Sequence, residues 1–178
     1  MENAGEILVL TGAPGSGKTT AAQAIASEPG SPKVHLHADD FWHFIKNGAI
    51  PPHLPDAHEQ NAVVMDALAT VAHRFAKGGY FVIVDGIIGP WFLGPFRHLP
   101  VPVHYLIMRP ALEDAIRRCQ TRGGKTLSDP EVITSLYHQL SSLGELETHV
   151  LAVDGKTSDE TARAVVASVQ AGAFRLQA

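Results

Sequence analysis

Eight residues near the start of the chain, Gly12-Ala13-Pro14-Gly15-Ser16-Gly17-Lys18-Thr19, carry the spacing G-x-x-x-x-G-K-[ST]. Their surroundings limit what the chain can become. Ile7-Leu8-Val9-Leu10, just before them, is a short apolar run that reads as a buried parallel strand. Thr20 to Ser27, just after, is rich in Ala and Gln with no breaker before Glu28-Pro29-Gly30, and reads as helix. Strand, glycine-rich loop, helix is the context in which this spacing builds a phosphate cradle. Gly15 and Gly17 let the backbone curl so that several N–H groups point at one anion. The helix that begins near Lys18 aims its positive end at the same place. Lys18 can reach the β- and γ-phosphates of a nucleotide, and the Thr19 hydroxyl can ligate magnesium.

The rest of the chain alternates strands and helices. Lys33 to Ala38 reads as a second strand ending at Asp39-Asp40, with a short helical turn expected over Phe41 to Lys46. Asn47 to Pro55 is irregular, because Gly48, Pro51, Pro52 and Pro55 interrupt it. Asn61 to Lys77 is a helix whose buried face is predicted to be Val64, Leu68, Val71 and Phe75. Tyr80 to Val84 is a third strand, ending at Asp85-Gly86. Ile87 to Pro102 is loop-rich, and His104 to Met108 is a fourth strand. Helices follow over Ala111 to Arg122 and from a Ser128/Glu131 capping box to about Leu143. His149 to Val153 is a fifth strand. A Thr157/Glu160 capping box then opens a helix over Ser158 to Ala171. Alternation of this kind implies an α/β fold, an αβα sandwich around a parallel sheet. No repeat or linker divides residues 1–178, so one domain is expected.

In such sheets, ligands lie beyond the C-terminal ends of the strands. Asp85 falls at one of those ends and is expected in the magnesium shell opposite the Thr19 hydroxyl. Asp39 and Asp40 fall at another. Adjacent carboxylates point apart, so one of them, preferably Asp39, is expected to take the proton from an acceptor hydroxyl as it attacks the γ-phosphate. Arg118 and Arg122 share a helix face before the flexible Gly123-Gly124-Lys125, which suggests a small lid near 117–130. Arg122 is expected to meet the charge developing on the transferring group. Arg117 reads as a solvated helix residue. Trp42, Phe44, Trp91, Phe92 and Phe96 cluster in two irregular segments, near 41–60 and 86–100, where an acceptor could bind.

Composition narrows the function classes. With 45% hydrophobic and 18% charged residues the chain is globular rather than disordered. A net charge of −4 argues against a general nucleic-acid binder. The single cysteine, Cys119, excludes an internal disulfide. Seven of the ten histidines lie between His35 and His98, but without an organised ligand pattern such as H-E-x-x-H, so no dedicated metal site is expected from them. No apolar run is long enough to span a bilayer, and the first six residues lack a cationic leader. A cytoplasmic protein is therefore expected, with a small-molecule partner and neither nucleic acid nor membrane.

The loop at 12–19, Asp39-Asp40-Phe41 after the second strand, Asp85-Gly86, and Arg118-x-x-x-Arg122 together resemble the small P-loop kinases. That group includes gluconate, shikimate and nucleoside-type kinases, chloramphenicol phosphotransferase and zeta-toxin-like kinases. The resemblance implies a five-stranded parallel sheet of order 2-3-1-4-5, ATP as donor with Mg2+, and a mobile lid. It implies that Gly12 through Thr20 bind the nucleotide phosphates and that Asp39 is the base. It also implies that Arg118 and Arg122 touch the ATP phosphates or the adenine face. The segment Asp154-Gly155-Lys156-Thr157 would border the adenine. Gluconate kinases tend to carry Gly-His-Phe after the lid arginine, where this chain has Gly123-Gly124-Lys125.

The expected activity is ATP-dependent phosphorylation of a hydroxyl on a small molecule. The alternative is a nucleoside monophosphate kinase. Its phosphate acceptor needs an arginine cluster, whereas Arg74 and Arg97 are the only arginines between Val34 and Pro102. A GTP-hydrolysing switch would need an Asn-Lys-x-Asp element, which the chain lacks.

Overall fold

Alternate residues of the central strands face opposite ways, and each set has its own helical cover. In the computed structural model, which describes residues 3–122 and 128–177 and only the backbone of Arg122, strand β1 (Ile7–Thr11) is buried throughout. It lies between β3 (Phe81–Gly86) and β4 (Val103–Arg109). β2 (Lys33–His37) pairs outside β3, and β5 (Val150–Ala152) outside β4. All pairings are parallel, in the order 2-3-1-4-5.

On one face, Leu8, Leu10, Phe81, Ile83, Leu106 and Met108 pack against helix α1 (Lys18–Ser27) and helix α7 (Ser158–Gln170). On the other, Ile7, Val9, Val82, Val84, Tyr105 and Ile107 share one core with helix α3 (His58–Lys77) and with Leu140, Leu143 and Leu146. This is the three-layer αβα arrangement, and the two-residue strand period generates it.

Several boundaries differ from expectation for local reasons. The strand ends at His37, and helix α2 (Ala38–His43) begins at once. Asp39 and Asp40 therefore occupy the first turn of a helix, where carboxylates favour its positive end. The buried stripe of α3 is Asn61, Val64, Met65, Leu68, Ala69, Ala72 and Ala76. Val71 is half-buried and Phe75 exposed, its ring edge-on to Tyr80. Small alanines on the inward stripe let α3 approach the sheet, and the bulky Phe75 turns away.

Two short 3-10 turns (Pro55–Ala57 and Pro90–Phe92) and helix α4 (Gly94–Arg97) lie in the segments read as irregular. Helix α5 (Leu112–Arg122) starts one residue later than expected. Helix α6 (Pro130–Gln139) is capped by Asp129, whose carboxylate accepts from the Glu131 N–H at 2.9 Å, and not by Ser128. Pro130 at the first helical position sets the cap one residue later. The helix stops short of Leu143, and a 3-10 stretch (Gly144–His149) leads into β5. The Thr157/Glu160 capping box is formed.

The C-terminal segment adds an element not expected from the sequence. Beyond α7 the chain runs antiparallel beside β4, with the Tyr105 N–H on the Phe174 carbonyl and the Leu176 N–H on the Val103 carbonyl. β5 pairs only with Ile107 to Arg109, so this return covers the edge that β5 leaves open.

Candidate active site

The loop between β1 and α1 is a cradle shaped by contact with its neighbours. Gly15 has φ +78° and Gly17 +87°, both in the left-handed region. A Cβ on Gly15 would run into the carbonyl of Ala115 on α5, so this turn is packed against that helix. Gly17 caps α1, and no side chain occupies the cap. The first N–H groups of the helix therefore face the loop with no capping side chain. Ser16 is 1% exposed, yet its hydroxyl has no partner among the described residues. A buried hydroxyl with no partner, beside the uncapped N-terminus of α1, suits a phosphate oxygen. Lys18 is half-buried at the start of α1.

Asp85 closes the other side. It is fully buried on β3, and its Oδ2 accepts a 2.5 Å hydrogen bond from the Thr19 hydroxyl. Its Oδ1 lies 2.7 Å from His35 Nε2. His37 Nε2 stands 3.9 Å from Oδ2. Burial pushes this carboxyl toward the neutral form. The hydrogen bonds from His35 and Thr19, helped by the charges of His37 and His35 when protonated, outweigh it and hold the pKa below the ordinary value. Asp85 is thus ionised at neutral pH beside a hydroxyl at the mouth of the phosphate loop. Hard oxygen donors of this kind fit Mg2+, which typically keeps waters and shares phosphate oxygens with its nucleotide. Among the described residues no group of three or more His, Cys, Asp or Glu forms a ready-made metal cage.

A cavity of about 610 Å³ opens beside the loop. Gly15, Ser16, Gly17 and Thr20 line one side, Arg118 another, and Lys156 and Thr157 a third. Arg118 Nη1 lies 3.4 Å from the Gly15 carbonyl, so α5 already holds this guanidinium at the loop. Arg117 also borders the cavity, but its guanidinium pairs with Asp114. The Asp154 carboxylate accepts from the Ala111 N–H and ties the segment after β5 to the start of α5. The side chain of Arg122, and Gly123, Gly124 and Lys125 of the expected lid, lie outside the described residues.

Asp39 is exposed, and no side chain among the described residues bonds its carboxylate. Asp40 is exposed too and sits 4.0 Å from the His43 ring one turn on. The expected acceptor segments divide by burial. Phe96 is core, Trp42 and Phe92 are half-buried, while Phe44 (67% exposed) and Trp91 (49% exposed) face outward. Hydrogen bonds from Trp42 to Asn61, from Asn61 to the Pro52 carbonyl, and between Gln60 and both backbone groups of Ile50 fasten the first segment to α3. The second is fastened through Ile88, whose N–H donates to the Thr11 hydroxyl and whose carbonyl accepts from the Tyr105 hydroxyl.

Sequence reasoning missed His35 and His37. The signal was their i, i+2 spacing on a strand, which turns both rings to one sheet face; the register that places His37 beside Asp85 is visible only in three dimensions.

A family model described as an AAA domain matches residues 7–146. A comparison with curated sequences finds no match. Among solved structures, a sugar kinase from Janibacter sp. HTCC2649 resembles the chain with a TM-score of 0.70 at 22% identity, over 93% of this chain and 94% of that one. The thymidylate kinase of Candida albicans gives 0.66 at 18% identity, over 98% and 96%. A chain of the Pnkp1/Rnl/Hen1 RNA repair complex gives 0.61 at 24% identity over 79% of this chain, which spans 45% of that one. What the chain shares with the two kinases is the P-loop kinase fold.

Proposed function

The chain belongs to the AAA domain family and has the fold of the small P-loop kinases, and from that premise we propose that it is an ATP- and Mg2+-dependent phosphotransferase acting on a hydroxyl of a small molecule. The observation that carries the reading is the buried, ionised Asp85 bonded to the Thr19 hydroxyl at the edge of a glycine cradle. The Thr19 hydroxyl and the Asp85 carboxylate would hold Mg2+, which when bound neutralises charge on the β- and γ-phosphates.

The chain's own groups divide the remaining work. The backbone N–H groups of Gly15 and of Gly17 to Thr20, with the Ser16 hydroxyl, bind and orient the phosphates within the loop from Gly12 to Thr20; Pro14 has no N–H, and that of Ser16 donates to the Ala13 carbonyl. Lys18 supplies a cation to the γ-phosphoryl as its charge spreads in the transition state. Arg118 is poised at Gly15, and Arg122 one turn further along α5 is assigned the same task from the lid. Lys156 and Thr157 border the nucleoside side of the cavity. Asp39 accepts the hydroxyl proton as the acceptor oxygen attacks the γ-phosphorus and the bond to the bridging oxygen of ADP breaks.

A hydroxyl acceptor is favoured over a phosphate by the paired carboxylates of Asp39 and Asp40 and by the scarcity of arginine around them. The outward Phe44 and Trp91 offer ring faces to a partly apolar acceptor. We place this chemistry in the cytoplasm, where ATP is abundant; among the described residues no helix is long and apolar enough to cross a membrane.

Thermal shift with ATP and GTP, and turnover of Lys18→Ala, test the reading. ATP should stabilise the protein, and the variant should fold but lose at least about 10²-fold in turnover. Turnover at the wild-type rate in folded Lys18→Ala would remove the donor assignment.

A further inference from the structure

The chemistry above uses Thr19 and Asp85 but neither of the imidazoles beside them. Strand alternation turns His35 and His37 to one side of β2, and the parallel register sets His37 against Asp85. The two oxygens of the buried carboxylate have separate neighbours. Oδ1 meets His35 Nε2 at 2.7 Å, and Oδ2 meets the Thr19 hydroxyl at 2.5 Å. His37 Nε2, 3.9 Å from Oδ2, is too far for a direct bond. An ionised carboxylate only accepts hydrogen bonds, so His35 carries its proton on Nε2 and donates.

The last torsion of an aspartate is broad, and an untethered carboxylate can present either oxygen or a plane between them. A donor fixed on Oδ1 removes that freedom and leaves Oδ2 turned to Thr19. The donor is itself held on a strand and is 20% exposed, so it has little room to swing away. Outer partners that orient a metal-holding group in this way commonly change metal affinity by 10–100-fold when removed.

We propose that His35 is a positioning residue for the divalent cation, clamping Asp85 through Oδ1 so that Oδ2 and the Thr19 hydroxyl face the ion together. The proposal rests on reading Thr19 and Asp85 as the cation's holders. His35 does not touch the ion, the nucleotide or the acceptor.

The test uses Mn2+ as the probe, its binding to the protein–ADP complex read from the loss of the free-ion signal in electron paramagnetic resonance. ADP affinity without metal is measured alongside by calorimetry. His35→Leu, which removes the donor, should weaken Mn2+ binding about 10–100-fold with metal-free ADP affinity unchanged. His35→Gln, which keeps an N–H donor on a reaching arm, should recover most of the loss. If His35→Leu does not fold, His35→Asn, polar but too short to reach Oδ1, takes its place with the same expectation. Wild-type Mn2+ affinity in the donor-less variant, with loss in Asp85→Asn, would overturn the clamp and leave the cation site standing. Wild-type affinity in Asp85→Asn as well would overturn the cation reading and the clamp with it. Equal losses of Mn2+ and of metal-free ADP would assign His35 a merely structural part and also overturn the proposal.

Discussion

Gly15→Ala puts the shape of the phosphate loop to a quantitative test. Gly15 has φ +78°, a conformation that costs an L-residue about 1–2 kcal/mol. The added Cβ would also collide with the Ala115 carbonyl, with the Ala115 carbonyl carbon and Cα at 2.9 and 3.0 Å. That obstacle is the backbone of α5 rather than the end of a flexible side chain, so the loop and the helix must part. Forced overpacking of this sort costs a further 1–3 kcal/mol or so. Gly48 supplies the control: its φ is +74°, and nothing lies within 4 Å of its added Cβ. Gly48→Ala should therefore show the conformational cost alone. At about 2–4 °C per kcal/mol for a chain of this size, Gly15→Ala should lower Tm by about 4–20 °C and Gly48→Ala by a few degrees. ATP affinity, measured by calorimetry at a temperature where both variants are folded, should fall at least about tenfold in the first, since 1.4 kcal/mol suffices. It should not change in the second. Equal Tm losses with wild-type ATP affinity in both would refute the argument that packing on α5 shapes the loop.

Asp39→Asn should lower phosphoryl transfer about 10²–10⁴-fold at nearly constant ATP affinity, and Asp40→Asn much less; the reversed ranking in kcat would move the base to Asp40. Tyr105→Phe leaves the buried Ile88 carbonyl without its donor, which should cost about 1–3 kcal/mol and lower Tm in a thermal melt; an unchanged Tm would show that the Tyr105 hydroxyl does not anchor the segment after β3.

The parts of the fold that local chemistry dictates were legible in the sequence. Ile7 to Leu10, Phe81 to Val84 and His104 to Met108 are apolar enough to be strands buried on both sides, and the glycine spacing at 12–19 admits few other turns. The sheet order came through the family resemblance, since spacing alone does not fix which strands are neighbours. What failed depended on packing. The buried stripe of α3 runs through alanines, and a periodicity that weighs bulk chose Val71 and Phe75 instead. Cap choice at α6 turned on one residue, because Ser128 and Asp129 are both good caps and Pro130 decides between them. At the site, Thr19 and Asp85 were expected together and are bonded. His35 joins them through a cross-strand register that no single segment encodes. Asp154, expected at the nucleotide, accepts from the Ala111 N–H, a partner 43 residues away along the chain that only the fold brings within reach.

The most direct test follows the γ-phosphate itself. Purified protein is incubated with Mg2+ and γ-labelled ATP over a panel of sugars, antibiotics, nucleosides and nucleoside monophosphates, and the labelled products are identified by mass and phosphorus NMR. The account predicts stoichiometric ADP and a phosphate ester on a hydroxyl of one small-molecule class, with transfer abolished in Lys18→Ala. Label appearing on the phosphate of a nucleoside monophosphate, or released only as inorganic phosphate whatever the acceptor, would contradict it.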